Sequence, residues 1–483
     1  MRTWLRVLAG AVCAAALSAQ PQQKPLREHP DVAGAVRLYE SWVTEQMTYR
    51  GLPGVAVGVV HDQQVIWSRG FGYADVAAKT PVTPATIFRM ASHTKMFTAI
   101  AILQLRDAGK LRLDDPVSKH LAWFHIKPAA EDDPPVTIEE LLTHNSGLPR
   151  EATSPYWATF EFPTEEQIRQ TVNSQQATYP PQAIWKYSNL AFALAGFVVE
   201  AVSGEKYADY VDRHILRPLG MTNSSIEVPS GRMSRLAKGY GRRMPDGSRK
   251  TMPFSDTRGV GPAAGLSSTL DDMLKYASFQ FRTGKAGGSQ ILSGATLREM
   301  HRPRVLRPKW VGAWGLGFSV QRQDDKIMVG HGGSLAGYKT HTLVNLDDKV
   351  GVVVLSNGDD TRPEQFAQRA MKIIGDAIAK AAKPPEKQKT WDPKWSKYSG
   401  LYRTIWSDTA VVEMNRELVI IDPLTDDPQE GLLRLVPQEG GVFKLEGPAG
   451  FGAAGETVRF EEDSQGRVVR MFVGELPAER VEK

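Results

Sequence analysis

Apolar residues crowd both sides of a polar turn in GVAVGVVHDQQVIWSRGFGYAD, residues 54 to 75. The β-branched runs flanking His61 to Gln64 predict two strands joined by that turn. Before them a helical pattern runs from about Ala33 to Met47, and after them MFTAIAILQLRDAG repeats its apolar positions at helical spacing, with Gly109 as a stop signal. From about 112 to 270 the pattern is mixed: a helical VTIEELLTH, a nearly all-apolar AFALAGFVVEAV that predicts a buried helix, and loops rich in Pro, Gly, Ser and Asn. VGVVVLSN, residues 350 to 357, reads as a buried strand, and QFAQRAMKIIGDAIAKAA as a helix. Strands first, helices in the middle, then strands and a helix predict one sheet built from both ends of the segment, with a helical region inserted.

The texture changes after KPPEKQKTWDPK, residues 383 to 394, a charged linker. Residues 398 to 475 offer short alternating runs such as ELVIID, VFKLEG and VVRMFVG, punctuated by Gly, Asp and Asn. They predict a small all-β domain, a barrel or a sandwich. The expected division is a signal peptide at 1–19, a Pro- and Gln-rich tether at 20–32, a main domain at 33–382, the linker at 383–394 and the β domain at 395–483.

The start, MRTWLRVLAGAVCAAALSAQPQQ, has the layout of a secretory signal: Arg2 and Arg6, an apolar run from Val7 to Leu17, then small residues around Ala19. The run is too short to span a bilayer comfortably, so export to the periplasm or outside the cell is expected, with no membrane span afterwards. Cys13, the single cysteine, lies inside that run. Its loss would leave no thiol for disulfides, thiol catalysis or cysteine metal sites. With 41% hydrophobic and 23% charged residues, the 483-residue chain reads as soluble and globular. Losing Arg2 and Arg6 takes the net charge from +5 to +3, and no dense basic stripe points to nucleic acid.

Three short motifs carry candidate chemistry. In FRMASHTKMFTA, residues 88 to 99, Ser92 and Lys95 would lie one turn apart at the head of a helix. A buried, neutral lysine there could take the serine proton and make it a nucleophile. The spacing alone cannot decide, and a second match, Ser203 to Lys206, reads as a helix C-terminus because Gly204 follows the serine. In IWKYSN, Tyr187 and Asn189 stand two apart, so the phenol could share a proton with the serine and the carboxamide could bond a substrate amide. In MVGHGGSLAGY, His331 precedes Gly332 and Gly333, which let backbone approach a ligand closely. The Ser334 and Ser92 amides would then be oxyanion donors, and His331 would hydrogen-bond or charge-stabilise the site.

Taken in order, Ser-x-x-Lys, Tyr-x-Asn and His-x-Gly resemble the three-element site of the serine β-lactamase and penicillin-binding protein superfamily. The flanking LLTHNSGLPR, PLGMTNSSI, GPAAGLSSTLDDMLKYA and WGLGF resemble its β-lactamase-related branch. That branch spans class C β-lactamases, D-Ala-D-Ala carboxypeptidases, D-aminopeptidases and β-lactamase-like esterases. The resemblance covers roughly residues 35 to 375. It implies an α/β (α+β) fold with an antiparallel sheet flanked by helices plus a helical region, and the C-terminal β domain resembles lipocalin-like appendages. It implies an acyl-enzyme on Ser92, proton handling by Lys95 and Tyr187, substrate contact by Asn189 and an oxyanion site around Gly333 and Ser334. The implied substrates are a small peptide, an ester or a β-lactam, with no cofactor and no metal. No His-Glu-x-x-His spacing or Gly-x-Ser-x-Gly elbow suggests another hydrolase class.

Two positions depart from the family pattern. His331 stands where class C β-lactamases carry a lysine, and a histidine is cationic only below its pKa. Pro181-Gln182 stands where Pro-Gly is usual. The expectation is an exported serine hydrolase of D-amino-acid peptidase type. An esterase, a class C-like β-lactamase and a catalytically silent binding protein on the same fold are the alternatives. A lipid or peptidoglycan carrier would need a large apolar cavity in the β domain. The oligomeric state is left open.

Overall fold

The structure, a computed structural model, describes residues 25–152, 155–283, 290–323, 325–383, 391–414, 416–423, 432–447 and 453–481. The expected signal peptide with Cys13, and most of the expected linker, lie outside the described residues. Two compact units divide at Ala382 and Lys383.

The first unit opens with a helix, Pro30–Arg50, longer at both ends than its apolar pattern predicts because Pro30 fits a first helical turn and Gly51, at φ 56°, ends the last. Strands β1 (Gly54–His61), β2 (Gln64–Asp75) and β3 (Thr80–Pro81) follow. A small sheet takes β4 (Ile87–Arg89), β5 (Ser225–Ile226) and β6 (Leu266–Thr269). The later strands are β7 (Val305–Leu306), β8 (Ala313–Trp314), β9 (Ser319–Gln323), β10 (Lys326–Leu335), β11 (Tyr338–Asn345) and β12 (Val350–Ser356). The main sheet has nine strands in the order β3-β2-β1-β12-β11-β10-β9-β8-β7. Strands from both ends of the unit thus meet at β1 and β12, antiparallel, with Val57 opposite Val354.

Both faces of this sheet are covered, which explains the unbroken apolar run of β1. Val55, Val57 and Val59 pack with the helices Pro30–Arg50 and Pro363–Ala370. Ala56 and Val60 face a larger core that includes the inserted helices. At its centre runs the helix Asn189–Ser203, capped by Ser188 and ended by Gly204 at φ 75°. From Asn189 to Val199 every residue of it is buried, so it needs no polar face. Ser203 is its last residue, as the glycine after it indicates.

The second unit is a closed barrel of eight strands, β13 to β20: Gly400–Arg403, Asp408–Met414, Glu417–Ile421, Leu433–Pro437, Phe443–Glu446, Thr457–Glu462, Val468–Val473 and Leu476–Val481. Closure leaves no free sheet edge. Tyr402, Leu418, Leu435, Phe443, Val458 and Met471 fill its interior.

Candidate active site

Ser92 sits in a tight turn, Ala91–His93, between β4 and the helix Thr94–Asp107. Ala91 takes the left-handed conformation at φ 49°, which is costly for a residue with a side chain and is found where a fold holds a group in place. His93 clamps this turn to the sheet: its ring nitrogens lie 2.9 Å from the hydroxyls of Thr340 and Thr342 on β11. Gly333 lets β10 close against the same turn. A Cβ there would lie 2.2 Å from the Met90 carbonyl oxygen and 2.3 Å from Thr340 Oγ1, so only glycine fits.

Lys95, on the first turn of the helix, is fully buried. Its Nζ donates to Ser92 Oγ at 3.2 Å, to Asn189 Oδ1 at 2.8 Å and to the Ala263 carbonyl at 2.8 Å. None of these acceptors is a carboxylate. Burial holds the Lys95 pKa well below the ordinary lysine value, Glu151 nearby opposes the shift and Arg150 adds to it. A lysine that loses its proton this readily can accept one from a serine. Tyr187 lies with its ring 4.9 Å from Lys95 Nζ. Burial raises its pKa, with Ser92 opposing the shift, so the phenol keeps its proton near neutral pH.

Asn189, expected to contact substrate, makes side-chain bonds within the protein. It opens the buried helix, and both ends of its amide are engaged inside the protein. Oδ1 accepts from Lys95, while Nδ2 donates to the two oxygens of Glu151 at 2.8 and 3.0 Å. Glu151 also accepts from the Tyr156 hydroxyl and pairs with Arg150 at 3.1 Å. The sequence reading misses Glu151, although it follows directly on the LLTHNSGLPR motif.

His331 is 4% exposed and packs among Trp314, Tyr187 and His93, its ring 5.3 Å from that of Trp314. Its Nδ1–H donates to the Gly332 carbonyl at 2.6 Å, which leaves Nε2 as an acceptor. Burial, with Lys95 adding to it, lowers its pKa to about 3. Of the two roles expected of His331, hydrogen bonding is the one that a ring held neutral by burial would fill. Ser334, on the opposite face of β10 from His331, is exposed, and its Oγ accepts from Lys339 at 2.6 Å.

At the Pro181-Gln182 departure the backbone takes a form that suits glycine. Gln182 adopts φ 66°, a conformation that favours glycine, and its Nε2 anchors to Glu140 at 2.7 Å.

Ser92, Tyr187, His331, Trp185, Trp314 and Arg307 are among the residues lining one open cleft of about 1390 Å³. Asn189, Gly333 and Ser334 line it too, so every site residue expected from sequence except the buried Lys95 borders this cleft. Among the described residues no group of acidic, histidine or cysteine side chains is arranged to hold a metal. No described helix is long and apolar enough to cross a membrane.

A family model described as beta-lactamase matches residues 39–376. The chain is 27% identical over 310 residues to protein flp of Staphylococcus aureus (strain N315), covering 63% of this chain and 60% of flp. It thus spans about three fifths of the length of that curated relative. Among solved structures, the octameric penicillin-binding protein homologue from Pyrococcus abyssi superposes with a TM-score of 0.63 at 25% identity, covering 92% of this chain and 99% of the other. A D-stereospecific amidohydrolase from Streptomyces shares the fold with a TM-score of 0.57 at 22% identity, over 69% of this chain and 97% of the other.

Proposed function

The chain belongs to the beta-lactamase family, and from that premise we propose that it is a serine hydrolase that cleaves an amide or ester through an acyl-enzyme on Ser92. The reading rests above all on one contact: a buried lysine without a bonded carboxylate, 3.2 Å from a serine hydroxyl at the edge of an open cleft.

In this reading Lys95 Nζ, neutral, takes the Ser92 proton as Oγ attacks the substrate carbonyl. The amides of Ser92 and Ser334 donate to the oxyanion that forms. The proton then passes through Lys95 and Tyr187 to the leaving nitrogen or oxygen, and that bond breaks to leave an ester on Ser92. A water, deprotonated by the same pair, attacks the ester and releases the acid. Asn189, held by Glu151, keeps a carbonyl oxygen rather than an NH₂ group toward Lys95.

The substrate class favoured is a peptide or amide of a D-amino acid, as the resemblance of the three motifs suggests. A second reading, an esterase, is favoured by one observation: His331, buried and with Nδ1 donating to the Gly332 carbonyl, stands where the resemblance has a lysine to meet a substrate carboxylate. The two separate by comparing kcat/KM for a D-alanyl-D-alanine peptide, its L,L counterpart and p-nitrophenyl butyrate. Preference for the D,D peptide supports the peptidase, and turnover of the ester alone supports the esterase. The basic, then apolar, N-terminal sequence supports action outside the cytoplasm, which signal cleavage on expression with the native leader would test.

A further inference from the structure

We propose that His144 is a positioning residue: it clamps the chain on both sides of Tyr187 and so holds the phenol where it hands a proton to the leaving group. The inference rests on the hydrolase reading and assigns a role within that same site.

His144 belongs to the LLTHNSGLPR segment and directly follows the helix Ile138–Thr143, with φ 60°. That left-handed form is costly for a residue with a side chain and is found where a fold holds a group in place. The His144 carbonyl accepts from the Lys186 amide at 2.6 Å, and its ring Nδ1 accepts from the Ser188 amide at 3.2 Å. Between these two bonds the imidazole lies against the Tyr187 ring, with centroids 4.1 Å apart and planes at 35°. Trp314, at 4.9 Å, and Phe192, at 5.1 Å, pack on the same imidazole, which is fully buried. Tyr187 itself stands outside any helix or strand, just before the helix Asn189–Ser203. Its place beside Lys95 therefore depends on bonds such as these.

The bond to Ser188 also fixes the state of the ring. An amide can donate only to an unprotonated Nδ1, so the proton of the neutral imidazole sits on Nε2. Burial holds the His144 pKa well below the ordinary histidine value, and Lys95 nearby adds to the shift, which keeps Nδ1 able to accept. Nε2 is buried with no protein partner, so Nδ1 is the nitrogen that the fold uses. A phenylalanine could fill the same space against Tyr187, Trp314 and Phe192 without burying a polar edge. It could not accept from Ser188.

The test compares two esters with the same acyl group, p-nitrophenyl butyrate and ethyl butyrate, by kcat/KM, which reports acylation. p-Nitrophenolate leaves without a proton, whereas the ethanol oxygen must take one as its bond to the carbonyl carbon breaks. A displaced phenol slows the ethyl ester selectively, while a general loss of structure slows both alike. In His144→Phe, kcat/KM for ethyl butyrate should fall at least about ten-fold further than for p-nitrophenyl butyrate, the scale on which misplaced catalytic groups lose rate. His144→Asn, whose Oδ1 stands near the place of Nδ1, should recover most of that difference. Equal changes for both esters in His144→Phe, or no recovery in His144→Asn, would overturn the proposal. His144→Leu takes the place of the phenylalanine variant, with the same expectations, if that variant does not fold. Hydrogen exchange at the Ser188 amide gives a reading that needs no activity. It should be about ten-fold faster in the apolar variant than in wild type, the scale of one lost hydrogen bond, and slow again in His144→Asn. Equal exchange in all three, or exchange in wild type as fast as at an exposed amide, would overturn the clamp. If wild type turns over neither ester faster than Ser92→Ala does, the hydrolase reading fails, and exchange at Ser188 alone decides whether the clamp exists.

Discussion

Glu151 grips the side-chain amide of Asn189 with both carboxylate oxygens, at 2.8 and 3.0 Å, and so turns Asn189 Oδ1 toward Lys95 Nζ. The carboxylate therefore acts on the lysine twice, by fixing its acceptor and by its charge, which opposes the drop in the Lys95 pKa. Replacing Glu151 with Gln removes the charge but keeps an acceptor. Lys95 should then lose its proton at still lower pH, and the acid limb of kcat/KM should move down. Arg150→Gln removes a charge that pushes the other way, so its acid limb should move up. Shifts of the same sign in both variants would refute this account of the Lys95 pKa.

Lys95→Met keeps an apolar chain of similar length in the buried site and removes the base. Acylation should slow by about 10²- to 10⁴-fold, the usual range for a general base. Stopped-flow release of p-nitrophenol, together with an unchanged circular dichroism spectrum, measures it. A loss under three-fold would assign the base elsewhere.

Several histidines are buried in a neutral state. His93 and His144 are held well below the ordinary value, and His301 and His331 are lowered to about 3, in each case chiefly by burial. A lowered pKa means that the unfolded chain binds more protons than the folded one below about pH 6.5. The stability these groups contribute is therefore present above pH 6.5 and is lost as pH falls from there toward 3. At pH 5 the loss is of order 2 kcal/mol for one fully shifted group. Thermal melts from pH 8 to 5 should show Tm falling below pH 6.5, and His301→Gln, away from the cleft, should flatten that fall. The same shift gives a kinetic expectation: no limb of the rate profile between pH 5 and 8 belongs to His331. A limb in that range that disappears in His331→Asn would contradict the neutral ring.

Gly333→Ala places a methyl against the Met90 carbonyl and Thr340 Oγ1. The strand must retreat from the Ser92 turn, and overpacking of this kind costs about 1–3 kcal/mol. Activity should fall at least about ten-fold in protein that still folds. Gly332→Ala, where the nearest atom is His341 Nδ1 at 3.4 Å, is the control and should lose less.

Much of this arrangement is legible before any coordinates. Ser92, Lys95, Tyr187 and His331 are singled out in the sequence by three motifs taken together and in order, with the family resemblance of their flanks, since the spacing of one motif alone does not decide. The paired strands β1 and β2 and the buried helix Asn189–Ser203 follow from local apolar patterning. What is not legible depends on residues distant in sequence. Glu151 is one acid in a loop, and its partner Asn189 lies 38 residues on. The burial of His331 arises partly from Trp314 and Tyr187, which come from different parts of the chain. The packing of Arg307 on Trp185 could not be foreseen either, since the two residues lie far apart in the chain.

The central claim is that Ser92 is a live nucleophile activated by Lys95. Intact-protein mass spectrometry after incubation with a fluorophosphonate tests it most directly, on wild type, Ser92→Ala and Lys95→Met. A single adduct on wild type, absent in Ser92→Ala and much slower to form in Lys95→Met, is the result this account predicts. An unmodified wild type, or an adduct that persists in Ser92→Ala, would contradict it.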